Sequence, residues 1–69
     1  MAKYYVVANG KKKFIKSINY SEGTLEFTDS ASNAMEERGG YYATPTRDFI
    51  SRMFKEDYPE VADLRVYSD

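Results

Sequence analysis

Sixty-nine residues with a net charge of −1, no cysteine and no histidine set narrow bounds on this chain. One domain, residues 1–69, and one core are all that such a length builds, burying roughly 60% of the surface its unfolded form exposes, and that core stands without a disulfide or a Cys/His zinc site. The usual histidine base and cysteine nucleophile are missing, and no window approaches the roughly 18 consecutive apolar residues a membrane span needs, so the expectation is a cytoplasmic, non-enzymatic protein with no catalytic residue, metal or cofactor.

KYYVVA, from Lys3 to Ala8, is aromatic and β-branched, as strands are, and Asn9-Gly10 supplies two residues that tolerate positive φ in a primed hairpin turn. KKFIKSINY, from Lys12 to Tyr20, returns as a second strand. Two registers remain open. A two-residue loop sets Tyr5 opposite Phe14 and Val7 opposite Lys12; a three-residue loop that includes Lys11 sets Val6 opposite Phe14 and Tyr4 opposite Lys16. Strict alternation puts Phe14, Ile18 and Tyr20 on the core face with Lys16 between them, and Lys13, Ile15, Ser17 and Asn19 on the other.

Ser21 to Thr24 reads as a turn, and TLEFT then alternates with Leu25 and Phe27 inward, completing a three-stranded meander. Next, Asp29 or Ser30 as cap, Ala31, Ala34 and Met35 at i, i+3, i+4, and Gly39-Gly40 as stop predict a short first helix. Tyr41 to Thr44 fits a brief strand. Thr44-Pro45 is a cap-plus-first-turn pattern, and Phe49, Ile50, Met53 and Phe54 form the apolar stripe of a second helix reaching about Glu56. Tyr58-Pro59 ends it, because the residue before proline is pushed out of the helical region. Leu64 and Val66 alternating with Arg65 and Tyr67 predict a terminal strand. The expected fold is α+β and two-layered: a mostly antiparallel sheet in the order β-β-β-α-β-α-β, with both helices packed on one face.

Chemistry is sparse. The acidic group Glu56, Asp57, Glu60 and Asp63 matches no calcium loop and reads as a solvated helix end; Gly39-Gly40 precedes a strand rather than a helix N-terminus and cradles no phosphate. Charge, however, is divided unevenly. Residues 1–20 carry five lysines and no acid, whereas residues 21–69 carry five basic and eleven acidic side chains, a split that creates a bipolar surface if the fold keeps the two stretches apart.

The candidate binding surface is Lys11, Lys12, Lys13, Lys16, Tyr4, Tyr41 and Tyr42. Lysines beside aromatic rings suit a nucleic-acid contact through the first hairpin, although lysines at a hairpin tip also guard an edge strand against aggregation. Seven tyrosines exceed what so small a core needs, and tyrosine is enriched where proteins meet. The leading expectation is therefore a module acting through a protein–protein surface, as a monomer or a homodimer paired at an edge strand; a weak nucleic-acid binder is the alternative.

Val6, Val7, Gly10, Phe14 and Ile15 in the hairpin, Leu25, Phe27 and Thr28 in the third strand, and Asp29 and Ala34 beyond it form a pattern that resembles small uncharacterised accessory proteins of temperate phages of staphylococci and related bacteria. The resemblance covers about half of the chain. It implies a setting in which short accessory proteins bind a host or phage macromolecule, and it carries no catalytic residue.

Overall fold

Asn9 and Gly10 set the geometry from which the sheet grows. The structure, a computed structural model, describes residues 1–37 and 40–68. Both turn residues have positive φ, 54° and 77°, the backbone twist a two-residue hairpin requires. The register is accordingly the two-residue one: in β1 (Ala2–Ala8) and β2 (Lys11–Asn19), Tyr5 faces Phe14 and Val7 faces Lys12. The next turn is closed by the Gly23 N–H donating to the Asn19 carbonyl (2.9 Å), while Asn19 Oδ1 accepts from the Glu22 N–H (3.0 Å) and the Ser21 hydroxyl (2.8 Å). From there β3 (Thr24–Thr28) runs back along β2.

Within β2 the simple alternation fails. Ile15 pairs with Phe27 but Ser17 pairs with Glu26, so β2 spends two steps where β3 spends one, and Lys16 is the additional residue of a β-bulge. The bulge reverses the parity of the residues before it relative to those after it. Ile15 and Ile18, three positions apart, therefore point to the same core face, and Ile15 is fully buried there. Phe14, expected on the core face, turns to the opposite one, where it packs on Tyr5 and Tyr67.

The expected first helix is absent. Ala31–Asn33 makes one 3-10 turn; Ser30 offers no side-chain cap, and Ala34 is already extended (φ −72°, ψ 145°). Tertiary demand overrides the local pattern here. β1 and β2 separate beyond the Tyr5–Phe14 pair, and residues 35–37 fill the gap between them: the Met35 N–H donates to the Ile15 carbonyl (3.0 Å), and Ala2 and Glu37 exchange both backbone bonds (2.7 and 2.8 Å). A helix could not present its backbone sideways in this way. Gly39, part of the expected stop, lies outside the described residues.

No strand forms at Tyr41 to Thr44. Gly40–Tyr42 is a 3-10 turn that leads directly into α1 (Ala43–Phe54). Tyr42, not Thr44, occupies the N-cap position, and Pro45 sits in the first turn, where its missing N–H removes nothing. The apolar stripe of α1 divides: Ile50 and Phe54 are buried, while Phe49 and Met53 face outward. Pro59–Asp63 then forms a further 3-10 turn, which buries Val61, before β4 (Arg65–Ser68) pairs antiparallel with β1.

Among the described residues the result is an α+β domain whose four-stranded antiparallel sheet has the order β3-β2-β1-β4 and carries one α-helix with 3-10 turns, rather than two helices. Tyr4, Val6, Ile15, Leu25, Ile50, Phe54, Val61 and Leu64 are the core between them. The Tyr58 hydroxyl accepts the Leu25 N–H (3.1 Å), closing one of the backbone groups that β3 offers at the rim of the sheet.

Candidate binding surfaces

Strand parity and the register sort the seven candidate residues. Tyr4 is withdrawn from the list, because it is 0% exposed and central to the core. Among the described residues its hydroxyl has no hydrogen-bond partner of ordinary geometry. Burial raises the pKa of that hydroxyl; nearby Thr46 opposes the shift and Glu37 and Tyr20 add to it. Lys11 and Lys13 pair with Ala8 and Val6 and so point to the helix side of the hairpin, whereas Lys12, paired with Val7, points to the other face. Lys16 stands at the bulge, exposed. Tyr41 and Tyr42 are not on the sheet at all: they precede α1, with rings 5.9 Å apart and Tyr41 91% exposed. The hairpin lysines and this tyrosine pair belong to different elements.

Two surfaces emerge in place of one. The first is a flank of α1. Tyr42, Phe49 and Met53 follow one another at helical spacing along it, each about half-exposed, and Tyr20 from the end of β2 lies against Phe49 (6.2 Å between ring centres). Side chains of this size carry roughly 150–250 Å² each, so four of them half-exposed leave on the order of 400 Å² of aromatic and thioether surface. The largest apolar patch on a typical monomer is of this size and is often functional. The α1 stripe was visible in the sequence; that half of it faces solvent was not, since periodicity locates an apolar stripe without saying how wide the contact beneath it is.

The second surface is the sheet face opposite α1. Phe14 forms its buried floor, Tyr5 packs on Phe14 at 5.6 Å, and Tyr67 meets Phe14 edge-on at 6.5 Å. Lys12 Nζ sits 5.0 Å from the Tyr5 ring centre and 5.8 Å from that of Tyr67, contacts worth about 0.5–1 kcal/mol at an exposed position. Arg65, paired with Tyr5, shares the face. Among the described residues the ion pairs are Lys3–Glu36 (3.6 Å) and Arg47–Asp48 (2.9 Å), so Lys11, Lys12, Lys13, Lys16 and Arg65 hold no carboxylate. Lys3 is committed to the fold: it also donates to the Ala31 carbonyl (2.6 Å) and so fastens the crossover to β1. Tyr5 and Arg65 were missed as surface candidates because the open register left the facing of β1 undecided, and Tyr67, one of the tyrosines expected to include exposed ones, could not be placed on this face because β4 had no assigned neighbour.

The described residues enclose no cleft or cavity, so both surfaces are open and shallow. Compared with known proteins, the chain matches no family model, no curated protein and no solved structure.

Proposed function

We propose that this chain is a non-enzymatic binding module acting through a protein–protein surface, and that the surface is the outer flank of α1. One observation carries the reading: Phe49 and Met53 stand about half-exposed on a helix that already buries Ile50 and Phe54 against the sheet, with Tyr20 packed against Phe49 and half-exposed Tyr42 at the start of the same helix. The core uses one side of the stripe and leaves the other about half-exposed. Aromatic rings and methionine are the residue types that interfaces favour over ordinary surface. A host or phage protein is the partner that the resemblance to temperate-phage accessory proteins implies.

The test compares the native chain with the double variant Phe49→Asp, Met53→Asp, after circular dichroism has shown that both are folded. Each is immobilised and exposed to host lysate, and any protein retained is purified and titrated against both chains. A partner that binds the native chain with micromolar or better affinity, and the double variant at least tenfold more weakly, supports the reading. Retention of nothing, or of proteins that bind both chains alike, overturns it.

A further inference from the structure

We infer that the sheet face opposite α1 binds single-stranded nucleic acid, with Tyr67 and Tyr5 as stacking rings and Lys12 and Arg65 on the flanking phosphates. This surface is separate from the flank of α1 and does not depend on it. Tyr67 and Tyr5 stand on neighbouring strands, β4 and β1, and both lean on Phe14, which holds their planes from beneath. Rings fixed in this manner on a flat sheet offer stacking faces to unpaired bases.

Lys12 marks the place a base would take. Its ammonium group lies over both rings at 5.0 and 5.8 Å and meets no carboxylate among the described residues. A lysine stem is long and flexible, so the group can leave the rings to a base and keep its charge within reach of the adjoining phosphate. Electrostatic complementarity points the same way. Lys12 and Arg65 have no ion-pair partner among the described residues; of the acids on this face, Glu26 lies on the outer strand β3, where it accepts from the Ser17 hydroxyl (3.2 Å), and Glu36 is offset by Lys3 (3.6 Å), the residue paired with Tyr67. Lys11, Lys13 and Lys16 add positive charge around the hairpin. A duplex hides its base faces within its own stack and would forgo the rings, so the ligand is single-stranded. Ring stacking and phosphate contact leave DNA and RNA as alternatives.

The test is fluorescence anisotropy with labelled oligo(dT) and oligo(U) of about 12 nucleotides, a site size ordinary for such surfaces, and with a duplex of equal length, between about 50 and 200 mM salt. The expected result has four parts. One or both single strands bind more tightly than the duplex. Tyr67→Ala weakens binding roughly tenfold, while Tyr67→Phe, which keeps the ring, does not. Lys12→Ser lowers the slope of log affinity against log salt by about 0.7. Ser51→Ala, on α1 and in neither surface, changes nothing. Absence of binding at the lower salt, duplex binding as tight as single-strand binding, or indifference to Tyr67→Ala in a folded variant each overturns the proposal. Tighter binding of oligo(U) than of oligo(dT), or the reverse, assigns the source.

Discussion

Tyr4 shows how one residue's chemistry is decided by the element opposite it. As a sequence position it was a surface candidate beside the lysines; in the fold its ring lies in the core and its hydroxyl is enclosed without an ordinary hydrogen-bond partner. Removing a poorly partnered buried hydroxyl costs little, whereas removing the ring opens a cavity. Tyr4→Phe is therefore expected to hold stability within about 1 kcal/mol of the native chain or raise it, and Tyr4→Ala to lose about 3–5 kcal/mol, the range for deleting a buried aromatic ring, both measured by urea denaturation. The same hydroxyl gives the protein an alkaline weakness. Burial raises the pKa of Tyr4 above its ordinary 10.0 despite the opposing Thr46, and burial with Glu37 does so for Tyr20. A raised folded pKa favours the neutral phenol, so the associated stability is complete below pH 10 and falls as pH climbs through the folded values. Thermal melts across alkaline pH should show that decline, and Tyr4→Phe should flatten it; an unchanged profile in the variant would assign the effect elsewhere.

Elements were legible where local chemistry and tertiary demand coincide. Asn9-Gly10 announced a hairpin because few other dipeptides accept two positive φ values, and the alternation at Leu64 to Tyr67 survives intact in β4 with Val66 inward and Tyr67 outward. Residues 30–37 were illegible because their spacing matches a helix, yet the separation of β1 and β2 requires backbone donors and acceptors at that point. The bulge was equally hidden, since nothing in KKFIKS marks one residue as supernumerary. It predicts that Ile15→Ala costs about 2–5 kcal/mol as a buried aliphatic position, where strict alternation would have made it a mild surface change. The divided stripe of α1 makes a paired prediction: Phe54→Ala is expected to cost about 3–5 kcal/mol, while Phe49→Ser stays within roughly 1 kcal/mol because its ring is already half in water. Chemical denaturation of the two variants side by side reads both. If Phe49→Ser proved as damaging as Phe54→Ala, the flank of α1 would be structural rather than available for binding.

At the scale of the whole molecule, the fold relocates charge as much as it packs apolar surface. The excess of lysine in residues 1–20 does not persist as one basic lobe: Lys3 is absorbed by Glu36 and the crossover, Lys11 and Lys13 face the helix side, and Arg65 arrives from the acidic stretch to join Lys12. No linear reading could foresee this, because it depends on β4 choosing β1 as its neighbour. The rim of the sheet is also a property of the whole, and Tyr58→Phe should cost about 0.5–1.5 kcal/mol through the lost bond to Leu25 and increase association at high concentration, measured by light scattering. The bulge at Lys16 works as a spatial reading frame: it absorbs one surplus position, so Ile15 and Ile18, an odd number of residues apart, both stay in phase with the core. Deleting that single exposed lysine would remove the surplus position and leave Ile15 opposite Phe27, Ser17 opposite Glu26 and Ile18 opposite Leu25 in an unbroken ladder, as striking out a doubled letter leaves a word readable. The bulge is thus the place where β2 can lose a residue and keep its partners, whereas in β1, whose pairs run without a shift, the same loss would turn the side chains beyond it to the opposite face.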